Sequence, residues 1–323
     1  MIAPDHVADS AARAAGRIGC IVRETPLIRS SSFCETIGAE VFFKLENAQH
    51  TGSFKLRGAS NCLLSLDDEQ RARGVVAASS GNHGAAVAYA ARELQCSSTL
   101  FVPEKTSSAK IDAIRGYGGD VRFFGTDGLD TEQHARAHAE AHGMYYVSPY
   151  NDAAVIAGQG TCGVEITRQL PDLDAAFIAV GGGGLMSGVG SVLKEHKPDL
   201  RLFACQPLAS AVMAKSVEAG RLLDLPSDPT LSDGTAGGVE ADSITFDLCR
   251  RLADDWVLVD EASIAAAMRT YMASEGHPIE GAAGVAIAAL IDRHTAVRGR
   301  KVAVIVCGGN IAEATLDQII AGR

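Results

Sequence analysis

At 323 residues, with 47% hydrophobic and 21% charged side chains, the chain suits one large or two intermixed domains and is too apolar to be disordered. Its net charge of −10 and aromatic content of 5% argue against a nucleic-acid surface, which needs clustered Lys and Arg and stacking platforms. The eight cysteines are scattered, with no Cys-x-x-Cys pair and no close His cluster, so neither a zinc site nor a disulfide framework is expected.

The start, Met1-Ile2-Ala3-Pro4-Asp5-His6, lacks a basic segment followed by an apolar one, so no signal peptide is expected. No apolar stretch approaches the roughly 20 residues of a spanning helix. A soluble, cytoplasmic protein without a membrane partner is the expectation. Short β runs occur at Leu27-Ile28-Arg29 and Val41-Phe42-Phe43-Lys44. From residue 75 the pattern alternates: strands over 75–78, 98–102, 120–124 and 144–147, with helices over 85–94, 110–117 and 127–141 between them. That alternation predicts a compact parallel α/β unit. A second unit of the same kind begins with the apolar run 175–180 and continues through 202–205 to 302–306. Helices are expected over 262–275 and 282–293, broken by Gly276-His277-Pro278. The span 218–240 is polar and rich in Pro, Asp and Gly, and reads as a long loop of the kind that is functional or mobile.

Four motifs carry chemistry. In Thr51-Gly52-Ser53-Phe54-Lys55-Leu56-Arg57-Gly58-Ala59, a lysine among small residues at a helix start suits an amine kept neutral and nucleophilic. Arg57 reads as structural. Ser79-Ser80-Gly81-Asn82-His83-Gly84 follows a strand and precedes a helix, where parallel sheets place ligands. Its hydroxyls and helix N–H groups suit a carboxylate, although a serine there also serves as an ordinary N-cap. Gly181-Gly182-Gly183-Gly184 stands between a strand and a helix, so successive N–H groups and the positive helix end can face one phosphate. A flexible turn is the bland alternative. No acidic residue follows as in a dinucleotide site, and no Gly-Lys-Ser/Thr ending makes a P-loop. Cys307-Gly308-Gly309-Asn310 closes the last apolar strand.

In order and character these motifs resemble the serine/threonine dehydratase family of pyridoxal-phosphate enzymes of fold type II. The resemblance covers nearly the whole chain. It implies two parallel-sheet α/β domains with helices on both faces and the cofactor in the cleft between them. Residues 1–47 and 148–323 would form the large cofactor domain, with 48–147 as a small inserted domain. Lys55 would carry pyridoxal 5'-phosphate as a Schiff base and act as base, and Ser80 would be the opposite-face acid/base. Phe54, Asn82, Gly181, Gly182, Gly183, Gly184, Leu185, Gly234, Glu280 and Cys307 would contact the cofactor, Cys307 at the ring nitrogen. A helix-start role explains Glu280 equally well. Ser79, Ser80, Asn82 and His83 would bind an amino-acid substrate, and the protein would be a homodimer.

Three positions depart from the relatives. Gln206 and Val212 stand where serine racemases carry the acids of a cation site, so no metal is expected. Thr131 stands where serine racemase places an arginine over the substrate, which disfavours a dicarboxylate. The run Thr230-Leu231-Ser232-Asp233-Gly234-Thr235-Ala236-Gly237-Gly238 resembles the hydroxyectoine-utilisation dehydratases. The expected activity is loss of water from a β-hydroxy α-amino acid, serine- or threonine-like or a hydroxylated diaminobutyrate. An amino-acid racemase and a catalytically silent cofactor-binding protein are the alternatives.

Overall fold

The structure, a computed structural model, describes residues 2–322; Met1 and Arg323 lie outside the described residues. The first helix, Pro4–Ile18, starts with proline in its first turn and buries Val7, Ala8, Ala11, Ala14 and Ile18, a stripe at helical spacing. Strands β1 (Leu27–Arg29) and β2 (Glu40–Leu45) then pair antiparallel.

Strands β3 (Val75–Ala78), β4 (Ser98–Val102), β5 (Asp120–Phe123) and β6 (Tyr145–Tyr146) form a separate, wholly parallel sheet in the order β5-β4-β3-β6. Strands β7 (Ala175–Ala179), β8 (Arg201–Pro207), β9 (Asp255–Val259) and β10 (Lys301–Val306) join the first two in the order β1-β2-β10-β7-β8-β9. β2 runs parallel to β10, pairing Val41 with Val302 and Leu45 with Val306, so only β1 is antiparallel in this sheet. β7 is buried at every residue, and its continuous apolar run is what a strand covered on both faces requires.

Each sheet has its own core. Phe177, Phe203, Val304 and Met268 pack around the six-stranded sheet, and Leu56, Val75, Val87 and Leu100 around the four-stranded one. We propose the division of 48–147 from 1–47 plus 148–323 on the same strand membership. The two units meet where the Lys55–Ser65 helix crosses the Ala153–Gln169 helix: a Cβ on Gly158 would lie 2.5 Å from the Arg57 carbonyl oxygen. Beyond the expected elements, β9 forms the free edge of the larger sheet. Its partly exposed Asp255, Trp256 and Leu258 give the sequence no clean apolar alternation. The expected 218–240 loop starts after the Val212–Ala219 helix and contains one short turn, Asp233–Thr235.

Candidate active site

The chain leaves β7 through Val180 and the four glycines, and the Gly184–His196 helix begins at the last of them. Space forces glycine here. A Cβ on Gly181 would stand 2.9 Å from Thr235 Cα, one on Gly182 would overlap the Tyr150 ring, and Gly183 has a φ of +86° with Cys249 Sγ 2.8 Å from its would-be Cβ. Outside donors hold the loop's carbonyls: Thr245 Oγ1 donates to Gly182 at 2.6 Å and Gln206 Nε2 to Val180 at 3.0 Å. The N–H groups of Gly181, Gly182 and Gly183 have no protein acceptor among the described residues. With the following helix end, they make a cradle suited to a phosphate.

This cradle forms one wall of a cavity of about 620 Å³ that Lys55 also lines. The lysine's loop is stapled to the end of β10: Phe54 N–H donates to the Cys307 carbonyl at 3.0 Å and Gly309 N–H to that of Gly52 at 3.0 Å. Gly52, at φ +72°, leaves room for Asn310, whose Oδ1 would lie 2.5 Å from a Cβ there. Lys55 therefore opens its helix at a defined place, its Nζ donating to the Pro149 carbonyl at 2.9 Å and standing 5.2 Å from the Phe54 ring centroid. Removal from water pulls its pKa down to about 8, against the opposing pull of Cys307 and Glu280. The free amine is thus within reach of neutrality at physiological pH.

Cys307 is buried at the end of β10. Burial, and then the Glu280 carboxyl 3.7 Å away, push its thiol well above the ordinary range, so it stays protonated. Burial likewise raises Glu280 to about 7, although Asn82 Nδ2 donates to its Oε2 at 2.8 Å. Gly308 makes room for that carboxyl, since a Cβ there would meet Oε1 at 2.5 Å; Gly234 lies beside it, where a Cβ would be in ordinary contact at 3.8 Å. Asn310 Nδ2 donates to Asn82 Oδ1 at 2.7 Å, so Asn82 links Asn310 to Glu280 in one polar chain.

On the asparagine loop, Ser79 Oγ accepts from Gly81 N–H at 3.2 Å, whereas the Ser80 hydroxyl has no protein partner among the described residues. Asn82 is the first residue of the Asn82–Glu93 helix, so the helix end faces the cavity. His83 also lines the cavity, but it is buried with Nε2 2.8 Å from the Val147 carbonyl. Burial and then Lys55 pull it down to about 3. A neutral imidazole donating through Nε2 leaves only the acceptor Nδ1, a poor partner for a carboxylate.

Leu185 lines the cavity as well. Sequence reasoning missed Tyr150, Thr235 and the Pro149 carbonyl. The first and last follow β6 at its carboxyl end, the position where parallel sheets gather ligands, and that was the available signal. At the departures, Gln206 bonds the Val180 carbonyl and accepts from Ala214 N–H at 2.7 Å, and Val212 is buried. The Thr131 hydroxyl lies 2.8 Å from the Phe124 carbonyl and 2.6 Å from that of Asp127, so it is occupied by backbone. Among the described residues no group of three or more His, Cys, Asp or Glu could hold a metal ion.

A family model described as pyridoxal-phosphate dependent enzyme matches residues 20–308. An L-threonine ammonia-lyase of Thermotoga maritima is 39% identical over 300 residues, covering 93% of this chain and 74% of the relative. Among solved structures, the processed form of threonine deaminase isoform 2 from Solanum lycopersicum superposes with a TM-score of 0.91 at 33% identity, covering 97% of this chain and 93% of that one. Maize serine racemase superposes with a TM-score of 0.90 at 33% identity, covering 97% and 96%.

Proposed function

The chain belongs to the pyridoxal-phosphate dependent enzyme family, and from that premise we propose a lyase that removes water from a β-hydroxy α-amino acid. The water lost in elimination returns when the resulting imine hydrolyses, so the net products are a 2-oxo acid and ammonia. The observation that carries the reading is one cavity lined by a buried lysine whose pKa is drawn down to about 8, a protonated thiol and three glycine N–H groups without protein acceptors among the described residues.

Pyridoxal 5'-phosphate fits these residues: the glycine cradle and Leu185 would take its phosphate end, Phe54 and Gly234 would flank it, Asn82 and Glu280 would lie at its polar edge, and Lys55 would hold it covalently. When bound, the cofactor's ring withdraws electrons from the substrate's α-carbon, which makes loss of the α-proton and the β-hydroxyl feasible. Once the substrate's amine displaces it, Lys55 would be the base that takes the α-proton, because burial brings the freed amine's pKa down to about 8 and makes its neutral form accessible. Ser79, Ser80 and the first N–H groups of the Asn82–Glu93 helix hold the substrate carboxylate. Ser80, whose hydroxyl has no protein partner among the described residues, is also the group that assists the leaving hydroxyl. Cys307 offers the ring nitrogen a neutral thiol where an aspartate would give it a charge, and this favours elimination over transamination.

The reading extends to serine, threonine and hydroxylated diaminobutyrate as candidate substrates, the last through the 230–238 loop. It also places the protein in the cytoplasm as a homodimer. All eight cysteines are free, as suits a reducing compartment. No helix among the described residues is long and apolar enough to cross a membrane.

The test is to reduce the holoenzyme with borohydride, digest it and locate the cofactor by mass, while assaying ammonia and 2-oxo acid from the three substrates. Label on the peptide containing Lys55 and ammonia release from at least one substrate are expected. Label elsewhere overturns the lysine assignment. The free Ser80 hydroxyl also favours a second reading, a racemase with Lys55 and Ser80 as bases. Solvent deuterium in recovered substrate of inverted configuration, without ammonia, would establish it.

A further inference from the structure

Glu240 lies in the polar loop ahead of the Thr245–Leu252 helix and does not line the cavity. Its Oε2 accepts from Arg136 Nη2 at 2.8 Å and from Asn151 Nδ2 at 2.9 Å, and its own N–H donates to Tyr150 Oη at 2.9 Å. The partners come from two places, a helix and the segment that follows β6. Arg136 sits on the Gly128–His142 helix of the four-stranded unit, with its Cζ 4.2 Å from the Tyr146 ring centroid. Asn151 lies in the segment leaving β6, where its Oδ1 accepts from Ile244 N–H at 3.0 Å. Tyr150 has its ring in the space a Gly182 Cβ would need.

The loop carrying Glu240 thus reaches the glycine cradle twice, through the Tyr150 ring and through Thr245 Oγ1 on the Gly182 carbonyl. The Glu240 side chain is 19% exposed and that of Arg136, which also pairs with Glu132, 41%, so the Arg136–Glu240 pair is partly shielded. Without the bond from Glu240 N–H, the half-buried Tyr150 would be held at the cradle only by its packing on Gly182 and Gly184. Glu240 fixes it by the backbone N–H and fixes the backbone by the carboxylate.

We propose that Glu240 is a positioning residue that locks Tyr150 against the phosphate cradle and ties this lock to the Arg136 helix. Retention of the cofactor then depends on how the four-stranded unit sits on the larger one. The inference rests on the cradle being the phosphate site, and it is independent of which reaction the enzyme catalyses.

The test uses holoenzyme and measures release of pyridoxal phosphate into buffer containing an excess of an unrelated apoenzyme as trap, with no substrate present. Glu240→Gln and Arg136→Met should each raise the release rate about tenfold. The double variant should release no faster than the worse single, because both changes abolish the same Arg136–Glu240 ion pair. Tyr150→Phe, which keeps the ring but deletes the Glu240 N–H bond through which the lock acts, should raise release at least as much. The gap in unfolding temperature between holo and apo forms should shrink in these variants while the apo value holds, which a general loss of structure would not produce. Release rates within twofold of wild type in both single variants, or strictly additive effects, would overturn the proposal. Wild-type protein that binds no cofactor overturns the cradle reading, and this inference with it.

Discussion

Replacing Arg57 with methionine should be among the most destabilising single changes in this chain. The Arg57 side chain is 1% exposed and grips Glu46 with both edges of its fork, Nε to Oε2 at 2.7 Å and Nη2 to Oε1 at 2.8 Å. It also donates to Glu165 at 2.6 and 2.8 Å. Lys44 Nζ, itself buried, adds a second cation 2.6 Å from Glu165. The cluster is balanced, two cations against two carboxylates. Methionine fills the volume but leaves Lys44 alone against both acids. Removing one partner of a buried ionic group typically costs about 3–5 kcal/mol, and that is the loss expected here. Arg57→Lys should fall between the two, since an ammonium cannot serve both carboxylates with a fork.

The pH dependence checks the cause. Burial alone would raise Glu46, but the charge and hydrogen bonds of Arg57, with Lys44 and Thr25, reverse this and hold it below 4.5. A carboxyl depressed by folding contributes stability that is present above its unfolded pKa and is lost as pH falls through its folded one. In Arg57→Met the burial penalty prevails, so ionised Glu46 costs stability instead. The gap between wild type and variant should therefore be widest near pH 7 and narrow towards pH 4. Urea unfolding of the apoprotein followed by circular dichroism measures it. A loss under about 1 kcal/mol, or a gap independent of pH, would refute the reasoning. Because Arg57 lies two residues beyond Lys55 on one helix, the variant should also hold cofactor less firmly.

Two further outcomes follow from the cavity. Attachment of pyridoxal phosphate to the apoprotein needs the neutral Lys55 amine, so its rate should rise with pH through about 8; a midpoint near the ordinary lysine value of 10.5 would contradict the burial of that amine. Gly182→Ala should drive a methyl into the Tyr150 ring, costing about 1–3 kcal/mol and weakening cofactor binding together. A Gly182→Ala protein with wild-type unfolding temperature and wild-type cofactor affinity would show that the cradle yields more easily than its packing implies.

Strands β3 and β4 were legible to the residue because short apolar β runs are fenced there by glycine, serine and proline. The candidate site was legible as separate motifs, since each is a local loop between a strand or turn and a helix. Their mutual contacts were not. Glu280 and Asn82 stand 198 residues apart in the chain, and nothing local to either signals the bond between them. The Ala153–Gln169 helix shows a different failure. Gly158, Gly160 and Gly163 weaken its helix signal, yet each marks a place where another element comes close. Gly158 admits the backbone of the Lys55 helix, Gly160 the methyl of Ala11, and Gly163 the Val189 backbone. Glycine thus has two uses in this chain that sequence cannot separate: opening a cradle to a ligand and letting two helices touch. What separates them is the neighbour that a Cβ would strike. At Gly158 it is the backbone of another helix. At Gly182 it is the Tyr150 ring on the cavity wall, so only the second glycine shapes a site that a phosphate can enter.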